Sequence, residues 1–272
     1  MSVTPQVGSL AKIESKKMIK LLSSNIRVDG RGLDSYRPIQ IETGVIDKAE
    51  GSASVLLGNT KVLVGIKIET GEPYPDTPDQ GVFTVNAEFL PLAHKFFEPG
   101  PPDENSIELA RIVDRGIRGS EMVEVEKLAI IPKRSVYVIF VDIYILNHDG
   151  NLIDASEFAT IAALANVKFP RYQVVEGEEV KKTEETFALP IKDCPISITM
   201  VKIDDKILID PTSDEENMCS AKLTITITKD GNVCAIQKSG SGMFTPQEII
   251  EAQKKAKEKS REIREKFFKE WC

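Results

Sequence analysis

Apolar residues first recur at helical spacing at Leu10, Ile13, Ile19 and Leu22, with lysine and glutamate between them, predicting a helix over Ser9–Leu22. Extended patterns then take over. Residues 37–46 read as a strand, and residues 52–57 and 60–68 flank Gly58-Asn59. Both residue types tolerate positive φ, so this pair predicts a tight hairpin. Residues 81–90 form a further strand that stops at Pro91. The runs ETGEPYPDTPDQ (69–80) and EPGPPDE (98–104) are rich in proline and glycine and predict loops, the second leading into a helix over about 104–121.

Residues 135–146, rich in Val, Ile and Tyr, predict a long strand ended by the turn Asn147-His148-Asp149-Gly150. Asp154-Ala155-Ser156-Glu157 has capping-box spacing, so a helix is expected to open at Asp154, with Glu157 reaching back, and to run to about 167. The charged stretch EGEEVKKTEE (176–185) reads as a linker. Strands follow near 196–203, 206–209, 221–228 and 233–237. A terminal helix runs from Pro246, a good first helical residue after Thr245, to about 271. This order predicts an α+β fold of two similar halves, each mostly antiparallel sheet packed with helices. The halves span about 27–172 and 190–272 of a single domain over 1–272, preceded by the helix at 9–22.

Composition narrows the class. Of 272 residues 41% are apolar and 28% charged, which excludes a largely disordered chain, a collagen-like repeat and a disulfide-rich miniprotein. Lys and Arg total 35 against 42 Asp and Glu, a net charge of −7. A uniformly basic nucleic-acid coat is excluded, and any polyanion must be held by a local basic patch. Cys194, Cys219, Cys234 and Cys272 form no C-x-x-C pair, and the only histidines are His94 and His148, so no metal site is expected. Unpaired cysteines point to free thiols in a reducing cytoplasm. The opening MSVTPQVGSLAKIESKK lacks the apolar core of a signal peptide, and no run approaches the ~20 apolar residues of a membrane span, so neither export nor a membrane partner is expected.

Candidate chemistry concentrates on the helix at 104–121. At ~100° per residue, Arg111, Arg115 and Arg118 fall within ~60° of one another, opposite a wide apolar face of Leu109, Ala110, Ile112, Val113, Gly116 and Ile117. Guanidinium groups suit phosphate oxygens bidentately and stay charged at any working pH. The competing reading is a solvated stripe paired with Glu108, Asp114 or Glu121. The acids Asp204, Asp205, Asp210, Asp214, Glu215 and Glu216 suit a metal or acid–base site, or more simply a hairpin turn at 204–205 and an exposed loop at 214–216. The glycines of KSGSGMF (238–244) lack the Gly-Lys-Ser/Thr end of a nucleotide loop and read as a connector. The terminal helix carries a Lys/Glu mixture that reads as a solvated face rather than an RNA surface. His94 and His148 stand isolated in the sequence.

Arg27-Val28-Asp29-Gly30-Arg31, followed by Arg37-Pro38-Ile39, resembles the RNase PH family. The resemblance continues through Gly51-Ser52-Ala53, Leu57-Gly58-Asn59-Thr60, Glu108-Leu-Ala-Arg-Ile-Val-Asp-Arg-Gly-Ile-Arg118, Asp193-Cys194-Pro195 and Asp210-Pro211. With Phe97-Glu-Pro-Gly-Pro-Pro-Asp-Glu-Asn105 it narrows to the branch that forms the non-catalytic subunit of the archaeal exosome ring. Active members carry a Gly-Thr-Arg or Gly-Ser-Ser type segment that holds inorganic phosphate. Here the segment is Gly150-Asn151-Leu152-Ile153-Asp154, whose Leu152 and Ile153 donate no side-chain hydrogen bond and whose Asp154 is expected to repel phosphate. The second acid of the active pattern after Asp210 is Glu or Asn in this chain.

The resemblance therefore implies no catalytic residues, no cofactor, and inorganic phosphate only in a partner's site. It implies RNA contact through Arg111, Arg115 and Arg118, with Arg118 also a candidate brace against Glu121. The implied partners are single-stranded RNA, an active RNase PH-like paralogue in a hexameric ring of three heterodimers, and RNA-binding cap proteins. The rivals are a self-sufficient phosphorolytic 3′-to-5′ exoribonuclease and a scaffold without RNA contact.

Overall fold

Residues 9–175 and 179–271 are described by the computed structural model. Helix α1 (Ser9–Leu22) precedes β1 (Ile39–Thr43), β2 (Gly51–Leu57), β3 (Thr60–Gly71) and β4 (Val82–Phe89), then α2 (Glu104–Gly119), β5 (Ala129–Ile131) and β6 (Ser135–Asn147). Next come α3 (Leu152–Ala165), β7 (Lys168–Val175), β8 (Glu179–Ala188), β9 (Ile196–Ile203) and β10 (Lys206–Ile209). The chain ends with α4 (Ser213–Met218), β11 (Ala221–Ile227), β12 (Val233–Ser239) and α5 (Pro246–Phe267). The first sheet has the order β1-β2-β3-β6-β4 with β5 beside β6, and the second β10-β9-β11-β12. Among these strands only β4 and β6 run parallel, as expected of a mostly antiparallel fold.

The β2–β3 hairpin forms where Gly58-Asn59 predicts it. Gly58 has φ +59, and a Cβ there would lie 2.5 Å from the Arg37 side chain, so only glycine lets that arginine cross the turn.

Helix α3 lies between the two sheets, packing on β2 and β3 on one side and on β9 on the other. Every residue from Ile153 to Leu164 is buried, as a helix enclosed on all sides requires. One apolar cluster accordingly joins Val64, Ile66 and Ile143 of the first sheet to Ile198, Met200 and Ile225 of the second. The expected capping box at Asp154–Glu157 does not form. The N-cap is Asn151 at φ 51 rather than Asp154, three residues earlier, and both acids point into the core. Helix α5 opens on a true capping box, Thr245 with Glu248, and buries Ala252, Ala256, Ser260 and Ile263 along one face.

The expected linker is a β-hairpin instead. Residues 176–178 lie outside the described residues, but β7 and β8 pair on either side of them. Phe169 and Phe187 meet at 4.0 Å between ring centroids, with Tyr137 edge-on to Phe169 at 5.0 Å, while Lys182, Glu184 and Glu185 stay exposed. Sparse aromatics anchor the hairpin, and its charged face dominates the local composition.

Cys219 and Cys234 are free thiols, whereas Cys194 is disulfide-bonded, correcting the expectation of free thiols throughout. The spacing of the cysteines gives no hint of this. Cys272 lies outside the described residues. No helix among the described residues is long and apolar enough to cross a membrane.

Candidate nucleic-acid interface

Asp103 caps α2 by accepting from the Ser106 amide at 2.8 Å, ending the proline-rich loop and fixing the helix phase. Leu109, Ala110, Ile112, Val113, Gly116 and Ile117 are buried, and Arg111, Arg115 and Arg118 are exposed on the opposite face. The three differ in what holds them. Arg111 makes no hydrogen bond or ion pair among the described residues. Arg115 Nη1 donates to the Gln237 side-chain oxygen on β12 at 2.6 Å. Arg118 Nε pairs with Asp114 at 2.8 Å, its Nη2 donates to the Phe83 carbonyl, and its guanidinium lies over the Phe83 ring. Arg118 thus braces α2 against β4 through Phe83, and its acid partner is Asp114 on the same helix rather than Glu121, which pairs with Lys192 at 2.6 Å. One turn of helix separates a free guanidinium from one with a single neutral partner, an arrangement suited to successive phosphates.

The segment 150–154 is closed. Gly150 has φ +85, and a Cβ there would lie 2.4 Å from the Thr212 carbonyl carbon and 2.5 Å from the Pro211 oxygen. The 211–213 backbone therefore rests directly on the turn. Asp210 is fully buried and accepts from Arg31 Nη1 at 2.9 Å, the Arg37 amide, Nε and Nη2 at 2.8, 3.0 and 2.8 Å, and Asn151 Nδ2 at 2.8 Å. Five donors occupy its two oxygens, leaving no lone pair for a substrate or an ion.

Arg27, also fully buried, forks onto Glu215 and donates to the carbonyls of Ile209 and Asp210, each at 2.7 Å. Asp154 does not face an anion site as expected. It accepts from the Tyr36 hydroxyl at 2.6 Å, Asn151 Nδ2 at 2.9 Å, and the Thr199 hydroxyl and amide at 2.7 and 3.1 Å. Burial nevertheless raises its pKa to about 6.

Residues 35–170 match the profile of the 3′ exoribonuclease family, domain 1, and residues 193–259 match that of domain 2. The chain belongs to the RNase PH family of 3′ exoribonucleases. Among its relatives, the exosome complex component Rrp42 of Thermococcus gammatolerans is 48% identical, the match covering 95% of each chain. The protein of the same name from Thermococcus kodakarensis is 49% identical over 96% of each chain. Among solved structures, a chain of the Archaeoglobus fulgidus exosome with RNA bound to the active site superposes with a TM-score of 0.88 at 48% identity, covering 96% of this chain and all of that one. A chain of an archaeal exosome core gives 0.84 at 46% identity, covering 95% and 97%.

The remaining acids of this RNase PH-family chain fall in a turn and a short helix. Asp204-Asp205 is the β9–β10 turn, as its position between apolar runs predicts, with Asp204 at φ 55. Residues 214–216 are not an exposed loop. They lie in α4, opened by a Thr212–Glu215 capping box, and Glu215 is buried against Arg27. No cluster among the described residues has the makings of a metal site. His94 and His148 are not isolated either: their rings meet edge-on at 5.4 Å, and Phe97 stacks on His148 at 5.6 Å. Burial lowers the His148 pKa, which keeps that ring neutral near pH 7. The Arg27, Arg31 and Arg37 network with Asp210 escapes sequence reasoning because its halves are more than 170 residues apart. The only signal was that these arginines belong to the RNase PH resemblance.

Proposed function

We propose that this chain is the non-catalytic RNase PH-like subunit of an archaeal-type exosome. It grips RNA for an active paralogue that degrades it from the 3′ end with inorganic phosphate, releasing nucleoside diphosphates. The observation that carries the reading is a contrast within one chain. Asp210 and Gly150, where the family's chemistry belongs, are sealed by five hydrogen bonds and a backbone contact, while Arg111 and Arg115 stand open on α2. The likeness to exosome subunits supports the setting: a cytoplasmic hexameric ring of three heterodimers with RNA-binding cap proteins. Such a subunit needs no cofactor of its own, and a net charge of −7 limits binding of RNA elsewhere on its surface. Arg118, committed to Asp114 and Phe83, positions the helix and adds its charge.

The test is Arg111→Glu with Arg115→Glu in the assembled ring. Both side chains lie opposite the buried face, so co-elution with the active paralogue is expected to persist. RNA affinity at low salt is expected to fall about 10- to 100-fold, and the slope of log affinity on log salt to flatten by about 1–1.5, the share of two single-strand phosphate contacts. Unaltered binding and decay at low salt would mean that the stripe is only a solvated face and the chain a scaffold.

A further inference from the structure

Beside the sealed segment lies an open cleft of about 500 Å³ lined by Asn59, Lys61, Asn147, His148 and Asp149. Asn147 Nδ2 donates to the Asn59 carbonyl at 2.5 Å and Asn59 Nδ2 to Asp149 at 3.1 Å, leaving both amide oxygens as free acceptors among the described residues. The Asp149 charge is offset by the Arg37 guanidinium at 3.8 Å. Lys61 makes no ion pair among the described residues.

His148 joins this cleft to an aromatic ledge on the 91–97 loop. It touches His94 and Phe97, and His94 touches Phe96 at 5.3 Å. Phe96 is 65% exposed, with the Lys95 ammonium 4.9 Å from its ring centroid, and Leu92 in the same loop is 72% exposed.

An exposed ring beside a cation, next to a polar cleft, is the composition of a nucleotide-stacking platform. The large exposed hydrophobics of the 91–97 loop are Leu92 and Phe96 alone, with Lys95 over the Phe96 ring and Lys61 in the cleft, which is little apolar area and much positive charge for a stable protein interface. We propose that this ledge and cleft form a second RNA-contact site on the chain. One nucleotide stacks its base on Phe96, its phosphates lie toward Lys61 and Lys95, and its sugar hydroxyls meet the amide oxygens of Asn59 and Asn147. The site rests on the exosome reading above and adds a contact outside the arginine helix. Stacking is sequence-tolerant, since every base has a π-face.

The test uses the ring assembled with the active paralogue and an oligoadenylate carrying a fluorescent adenine analogue. Phe96→Ala is expected to leave the ring intact, weaken RNA binding about 5- to 100-fold and abolish the quenching of the analogue, with Phe96→Tyr restoring both. Lys61→Ala with Lys95→Ala is expected to weaken binding chiefly at low salt. Unaltered affinity and quenching in Phe96→Ala would overturn the proposal. So would loss of the ring, which would make Phe96 a protein contact. If Phe96→Ala binds normally while the Arg111/Arg115 variant does not, this site is wrong and the exosome reading stands. If neither variant weakens binding, that reading fails as well.

Discussion

Replacing Arg27 by alanine is expected to destabilise the chain by ~3–5 kcal/mol, read as a shift in urea or thermal midpoint. The side chain is fully buried and makes four strong hydrogen bonds, two to Glu215 and one each to the carbonyls of Ile209 and Asp210. Truncation leaves a buried carboxylate with only the Thr212 amide and its helix N-terminus for company, takes the arginine donor from the Ile209 carbonyl, and leaves the Asp210 carbonyl with only the longer bonds from Arg31 at 3.3 Å. The cost is that of the uncompensated charge rather than the worth of the pair. Arg27→Met combined with Glu215→Leu is therefore expected to recover much of the loss. Recovery remains incomplete, because Glu215 also closes the α4 capping box. A single Arg27→Ala variant as stable as the parent would show that the ion pair does not hold β10 and α4 in place.

The second large effect has the opposite sign. Glu157 sits inside α3 with neither carboxyl oxygen hydrogen-bonded, and a Cβ on Gly116 of α2 would lie 2.9 Å from its Oε1. Burial raises its pKa from 4.5 to about 8. The unfolded chain releases this proton near pH 4.5, while the folded chain keeps it until about pH 8. Between those values the native state binds more protons, so stability falls as pH rises. The contribution is full below pH 4.5 and gone above about pH 8. Asp154 acts in the same sense only up to about pH 6, and His148, with a lowered pKa, acts in the opposite sense only up to its ordinary value near 6.5. The interval from pH 6.5 to 8 thus isolates Glu157, with an expected loss of up to ~1.4 kcal/mol per pH unit. Glu157→Met, similar in volume and free of buried charge, is expected to be ~2–4 kcal/mol more stable at pH 7 and flat across that interval. A parent protein that is itself flat there would refute the buried, unpartnered carboxyl.

These two residues also show where the sequence is legible. The Gly58-Asn59 turn, the strands and the apolar face of α2 follow from periods of 2 and 3.6 and from turn chemistry, which are local properties. The exposure of Arg111, Arg115 and Arg118 follows from the same phase. Helix α3 defeats local reasoning because it is enclosed on both sides by sheet. It has no polar face to mark its phase, and the spacing of Asp154 and Glu157 imitates a cap while both point inward. The segment 214–216 looks like a solvated acidic loop because the arginine that buries Glu215 lies 188 residues away. The β7–β8 hairpin looks like a linker because its charged outer face outnumbers the aromatics beneath it. The closure over Gly150 is likewise a long-range contact, from residues 211–213. Leu152 and Ile153 are read, through the family resemblance, as standing in place of phosphate-binding groups, but that reading does not say what fills the space. What sequence cannot supply in each case is the distant partner.

The central claim, a chain that holds RNA and leaves the chemistry to its neighbour, is tested most directly by phosphate-dependent release of nucleoside diphosphate from poly(A). The isolated chain and the ring assembled with the active paralogue are assayed side by side. The expected result is no release above the no-protein blank from the isolated chain and sustained, phosphate-dependent release from the ring. Release by the isolated chain that survives repurification and disappears in Asp210→Asn would contradict the account.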